Sequence, residues 1–149
     1  MGIKKLEDVR ILVVDDSEDI RFLLCRILIA HGAAVTSCGS VGEALESLDD
    51  TKFDVIVSDI CMPEQDGYDL IRILREAEKF IDHPTPAIAV SALPSLATQL
   101  KSLSEGYQVH LCKPVNPKVL VQIIERLKEL DGEAVRAGFH IAQERFNSV

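Results

Sequence analysis

An aspartate pair at Asp15-Asp16, a single aspartate at Asp59, a serine at Ser91 and a lysine at Lys113 are the residues here whose types could do chemistry together. Clustered carboxylates repel one another by about 1 kcal/mol per pair at 4 Å in water, and more where the dielectric is lower, so they need a counter-charge. A hard divalent cation suits an all-oxygen site, and Mg2+ typically takes one or two carboxylates, waters and phosphate oxygens. Lys113 would add a mobile point charge able to reach a phosphate, and Ser91 a hydroxyl donor. A carboxylate can attack phosphorus and become an aspartyl-phosphate. Cation, lysine and hydroxyl would then stabilise charge on the transferring oxygens. Each residue alone has a plainer reading: Asp15-Asp16 as a helix N-terminus favoured by the dipole, Asp59 as a turn residue, Lys113 as a surface lysine. The chemistry needs a fold that gathers them.

The elements that could gather them are legible as periodicity. Five short apolar runs occur, at Ile11–Val14, Ala33–Thr36, Phe53–Val57, Ala87–Val90 and Val109–Leu111. The first, third and fourth are apolar at nearly every position, as strands buried on both faces of a helix-covered parallel sheet are. Between the runs the period is helical. Ile20, Leu23, Leu24, Ile27 and Leu28 share one face, and Gly32 stops that helix. Ser40 with Glu43 is a capping-box pattern for a second helix through Leu45 and Leu48. Asp66 can cap a third carrying Leu70, Ile71 and Leu74; Leu96, Leu100 and Leu103 mark a fourth. Asn116-Pro117 opens a fifth with Leu120, Ile123, Ile124 and Leu127. Five βα units with right-handed crossovers give an open, doubly wound α/β sheet. Ligands in that architecture sit beyond the carboxyl ends of the strands. Those ends carry Asp15-Asp16, Ser58-Asp59, Ser91-Ala92 and Cys112-Lys113-Pro114.

Length and composition bound the rest. A chain of 149 residues, 47% hydrophobic and 27% charged, fits one globular domain. A net charge of −8 repels nucleic-acid backbone, so no nucleic-acid partner is expected. No apolar run suggests a membrane span, and Met1 to Asp8 lacks the apolar stretch of a secretory signal, which favours the cytoplasm. Cys25, Cys38, Cys61 and Cys112 form no C-x-x-C pair and read as buried reduced thiols. Tyr107 and Gly106 read as turn residues, and His31, His83 and His140 as exposed and inert.

Val13-Val14-Asp15-Asp16-Ser17, Ser58-Asp59 followed by Met62-Pro63-Glu64-Gln65-Asp66-Gly67, Val90-Ser91-Ala92 and Lys113-Pro114 together resemble the receiver domain of two-component response regulators. The resemblance covers about residues 9 to 130, with motifs in order and spacing. It implies a five-stranded (βα)5 flavodoxin-like fold of strand order 2-1-3-4-5. It implies that Asp59 is the phosphoacceptor and that Asp16 ligates Mg2+ directly. Asp15 would bind the ion through its waters, Asp59 would contribute to the site, and the backbone carbonyl of Cys61 would be a further ligand. Ser91 and Lys113 would hold the phosphoryl group, the Lys113-Pro114 bond would be cis, and His110 would stand at the switch position. The donor would be a histidine kinase or histidine phosphotransfer protein, docking on the first helix and the loop after the fifth strand. The chain would be a phosphorelay module, not an enzyme beyond its own phosphorylation and slow dephosphorylation, and a monomer or weak homodimer.

Rival readings meet specific obstacles. A phosphatase with an Asp nucleophile resembles D-x-D, but Cys61 stands where its second Asp would be. A flavodoxin-type cofactor binder would need a phosphate cradle, and Asp15-Asp16-Ser17-Glu18-Asp19 repels phosphate unless metal intervenes. An inactive receiver used only for contacts would not need the complete acidic set. Residues 131–149 are expected as an extension, too short for a helix-turn-helix output domain. Val135, Phe139, Ala142 and Phe146 give it one stripe, which predicts a sixth helix over 133–146, the alternative being a frayed tail or linker. The chain is then expected to be a stand-alone receiver or a piece of a hybrid kinase or of a larger regulator. The resemblance places Cys61 and Leu93 beside the path of an attacking water, and since both orient water poorly they predict a long-lived phosphorylated state.

Overall fold

The computed structural model describes residues 4–92 and 95–136. Five strands, β1 (Arg10–Val14), β2 (Ala34–Cys38), β3 (Val55–Asp59), β4 (Ala87–Ser91) and β5 (Val109–Cys112), form one parallel sheet in the order β2-β1-β3-β4-β5. Helices α1 (Glu18–Ala30), α2 (Val41–Asp50), α3 (Gly67–Ala77), α4 (Leu96–Glu105) and α5 (Pro117–Leu127) connect and follow them, and α6 (Gly132–Arg136) is the last element among the described residues.

Alternation along the strands builds two cores. Ile11, Val13, Val55, Val57, Ile88, Val90, Val109 and Leu111 face α1 and α5. Leu12, Val14, Ile56, Ala87 and Ala89 face α2 and α3. Parallel register then brings the strand ends to one edge, with Val14 beside Ser58, Asp59 beside Val90, and Ser91 beside Cys112.

Helix starts follow the capping chemistry of the sequence. Ser17, Ser40, Asp66, Ser95 and Asn116 each accept a backbone N–H of the first turn. At α2 only half of the capping box forms. Ser40 Oγ accepts the Glu43 amide, while Glu43 turns its carboxylate to the Gly39 amide at 2.6 Å. The complete box lies at α3, between Asp66 and Asp69.

Several sequence expectations shift. β3 starts at Val55, two residues late, because Asp54 is spent on Arg10: the two exchange Asp54 N–H to Arg10 O and Arg10 N–H to Asp54 Oδ2. Two leucines of α4 face outward, with Leu96 67% and Leu100 57% exposed, while Leu103 is half-buried. The inward position goes to Ser102, the one buried residue of α4, which meets the buried His110. Leu23 of α1 is likewise exposed. Tyr107 is no turn residue: it is fully buried in the α2–α3 core and donates its hydroxyl to Gly67 O at 2.6 Å. Gly67 is what that packing demands, since a Cβ there would press on the backbone of Asp59 and Ile60. His31 is a half-buried helix cap and not a surface residue, while His83 is exposed. Helix α6 is present over Gly132–Arg136; residues 137–146 of the expected sixth helix, with His140 and Leu93, lie outside the described residues.

Candidate functional site

Asp15, Asp16, Asp59 and Lys113 meet at the carboxyl edge of the sheet. One carboxylate oxygen from each aspartate lies within 4.8 Å of the others, and the three form a group able to hold a metal ion. Asp15 and Asp59 are buried and Asp16 is exposed, so the cluster has a wall and a mouth. Lys113 Nζ stands 3.1 Å from Asp15 Oδ2 and 3.4 Å from Asp59 Oδ2.

Local hydrogen bonds fix each carboxylate. Asp15 Oδ1 accepts the Ser17 amide at 2.9 Å, and Arg21 Nη1 donates to the Asp15 carbonyl at 2.7 Å. Asp59 Oδ1 accepts the Cys61 amide at 3.3 Å. Behind the site, Ser58 Oγ donates to the Asp59 carbonyl at 3.0 Å. β5 is tied to β4 by Lys113 N–H donating to Ser91 O at 2.8 Å. The Lys113-Pro114 peptide is cis. Ser91 is fully buried at the end of β4.

The charges do not balance. Burial first, and then the neighbouring Asp15, push the Asp59 carboxyl above the usual aspartate range, against Lys113 and the Cys61 amide, which pull it down. Burial works against the Lys113 ammonium, but bonds and charges from Asp15 and Asp59 win and raise its pKa. Three carboxylates facing one ammonium leave excess negative charge, the condition a divalent cation relieves. An all-oxygen set of this kind suits a hard ion.

His110 is directed at α4. Ser102 Oγ lies within donating distance of Gln99 O at 2.9 Å. His110 Nδ1 lies 2.8 Å from the same oxygen and shares a hydrogen bond with it. Nε2 is buried and finds no hydrogen-bond partner among the described residues. Burial lowers the pKa of this imidazole.

Two supporting residues escaped sequence reasoning. Arg21 holds the Asp15 backbone from within α1, where its position reads as an ordinary polar face. Ser102 shows only as a polar break beside a leucine stripe. Beside the site, Ile20, Leu23, Leu24, Ile27, Lys113, Pro114 and Val115 line an apolar groove of about 350 Å3 between α1 and the loop after β5.

Comparison with known proteins agrees with this geometry. The family described as response regulator receiver domain matches residues 11–125. A 14.6 kDa protein of Leptolyngbya boryana is 37% identical over 83% of this chain and 93% of its own length. The transcriptional regulatory protein PrrA of Mycobacterium leprae is 35% identical, with 81% of this chain and 49% of that protein covered. The match to hybrid signal transduction histidine kinase D of Dictyostelium discoideum, 36% identical, spans 74% of this chain and 8% of that protein. Among solved structures, the receiver domain of Francisella response regulator 1452 superposes with a TM-score of 0.75 at 31% identity, covering 82% of this chain and 98% of that one. The chemotaxis response regulator CheY4 of Vibrio cholerae gives 0.72 at 30% identity, covering 80% and 98%. A parallel sheet of order β2-β1-β3-β4-β5, an acidic cluster at its carboxyl edge and a match over most of the sequence place this chain in the response regulator receiver family.

Proposed function

We propose that the chain is the phosphoacceptor module of a two-component phosphorelay and that Asp59 takes the phosphoryl group. The observation that carries this reading is the charge imbalance at Asp59, a buried carboxylate beside Asp15 and Asp16 with Lys113 in reach. An Asp59 carboxylate oxygen attacks phosphorus, the Oδ–P bond forms, and the P–N bond to the donor phosphohistidine breaks. The leaving imidazole keeps the bonding pair and takes a proton from solvent. Mg2+, held by Asp16, Asp15 through water, Asp59 and the Cys61 carbonyl, would neutralise charge on the transferring oxygens. Lys113 pairs with the phosphoryl oxygens, and the Ser91 hydroxyl donates to one of them. His110, three residues before Lys113, is the candidate switch residue.

The donor is a histidine kinase or histidine phosphotransfer protein, seated in the apolar groove between α1 and Pro114-Val115, with its phosphohistidine toward Asp59. The receiver body runs over 9–130 and 131–149 form an extension. The module performs no catalysis beyond its own phosphorylation and slow dephosphorylation. No helix among the described residues is long and apolar enough to cross a membrane, and we place the chain in the cytoplasm, free of nucleic acid, as a monomer or weak homodimer. Incubation with acetyl phosphate and Mg2+, read by intact mass, tests the reading. One added phosphoryl group is expected on the native protein and none without Mg2+; no addition under any condition would favour an inactive receiver.

A further inference from the structure

Two of the three site carboxylates are held by their own hydrogen bonds: Asp15 Oδ1 accepts the Ser17 amide and Asp59 Oδ1 the Cys61 amide. Asp16 differs. It is exposed, and among the described residues no hydrogen bond or ion pair holds its carboxylate. Its placement therefore comes from the backbone that carries it. The Asp15 carbonyl and the Asp16 nitrogen belong to one planar peptide group, so whatever fixes that oxygen orients Asp16. On the sheet side the Asp15 amide donates to Cys38 O at 3.1 Å. On the Asp16 side the carbonyl accepts Arg21 Nη1 at 2.7 Å, a charge-assisted bond from α1.

The guanidinium reaches that carbonyl past a glycine. Gly39 lies in the loop between β2 and α2, and a Cβ there would stand 2.9 Å from Arg21 Nη1 and 3.5 Å from its Cζ. Glu43 Oε2 holds the same loop by accepting the Gly39 amide at 2.6 Å. Arg21 is half-buried, and three elements surround its head: its own helix, the end of β1 and the β2–α2 loop. A guanidinium bonded to Asp15 also acts through space, and in the opposite sense. Its positive charge opposes a cation, so on charge alone its removal would tighten Mg2+ binding.

We propose that Arg21 is a positioning residue for Asp16: by holding the Asp15–Asp16 peptide it strengthens Mg2+ binding, and Gly39 leaves the room it needs. This rests on the phosphoacceptor reading above, in which Asp16 ligates the ion directly. The sign of the effect separates positioning from charge. Losing the bond lets the exposed Asp16 carboxylate leave the cluster, so binding weakens although a repelling charge has gone.

Titration of the metal-free protein with Mg2+, followed by the NMR shifts of the Ser17 and Cys61 amides, gives the dissociation constant. Thermal unfolding without the ion gives stability separately. Arg21→Met should raise the dissociation constant about tenfold, the low end for residues that hold a metal ligand in place. Gly39→Ala keeps the guanidinium but crowds its end, and should weaken binding in the same direction. Arg26→Met removes an equal charge from the same helix, where Arg26 is exposed and lies over the Phe22 ring, and should not weaken binding. A prop for the fold alone would lower the thermal midpoint and leave the dissociation constant unchanged. An unchanged or lower constant in Arg21→Met or in Gly39→Ala overturns the inference alone, as does equal weakening in Arg26→Met. If Arg21→Met does not fold, Gly39→Ala and Arg26→Met decide. A native protein with no saturable response to Mg2+ overturns the metal-assisted phosphoacceptor reading and the inference with it.

Discussion

The two poles of the sheet treat buried charge in opposite ways. At the amino-terminal pole Glu78 is 4% exposed and saturated: Arg75 on one oxygen, Thr85 twice on the other, Lys52 at 3.9 Å. At the carboxyl pole Asp15, Asp16 and Asp59 share one ammonium. A satisfied buried charge is architecture, because nothing is gained by adding to it. An unbalanced one is held at a cost to the fold and is where a cation finds favourable energy.

Breaking the satisfied pole should cost most. Glu78→Ala strands the Arg75 guanidinium and frees both Thr85 donors, and a loss of about 3 kcal/mol in urea denaturation is expected, as for removal of one partner of a buried pair. A change below about 1 kcal/mol, the range of exposed pairs, would mean that Glu78 is not structural.

Filling the unbalanced pole should stabilise the protein. Mg2+ at ten times its dissociation constant adds about 1.4 kcal/mol by mass action. The gain should vanish in Asp16→Ala and persist in Glu78→Ala, read as a shift in thermal midpoint with and without the ion.

Emptying the unbalanced pole of charge should help as well. Asp59 has a folded pKa above its unfolded one, so the folded state binds the proton more tightly. Its contribution is favourable at low pH and is lost as pH rises from about 3.9, the unperturbed aspartate value, through the raised folded pKa. Asp59→Asn removes that loss. It should be about 1 kcal/mol more stable than the native protein at pH 7, with the difference shrinking toward pH 4, in metal-free denaturation. An equal or less stable variant at pH 7 would contradict the imbalance.

The smallest effect lies on the rim of the site, where Glu64 adopts φ 67° in the loop that follows β3. Glu64→Gly relieves that left-handed conformation and should stabilise the fold by about 0.5–1 kcal/mol in thermal denaturation. No gain would show that the loop geometry is not strained.

The contrast between the poles also explains what the sequence made legible. Continuous apolar runs at β1, β3 and β4 reveal a parallel sheet, because burial on both faces removes every polar choice. Site residues stand out since Asp15, Asp59 and Lys113 directly follow or end such runs. Asn116-Pro117 marks the start of α5 because a cap and a missing donor act locally. α4 is legible as a helix from its leucine spacing, but its inward residue is not: the His110 ring meets Ser102, and nothing local in the sequence marks that pairing. The knot at Arg75 and Glu78 is invisible for a related reason. Charged residues three apart on a helix read as a solvated face, and only the return of β5 and α6 buries them. Register over distance decides both, and local pattern does not carry it.

The central claim is that Asp59, and no other carboxylate, carries the phosphoryl group. Borohydride reduction of the acetyl phosphate-treated protein converts an aspartyl-phosphate to homoserine, and peptide mass mapping locates it. The account predicts homoserine at position 59 in the native chain and at no position in Asp59→Asn. Homoserine at position 15 or 16 of the native chain, or its appearance in Asp59→Asn at the native level, would contradict it.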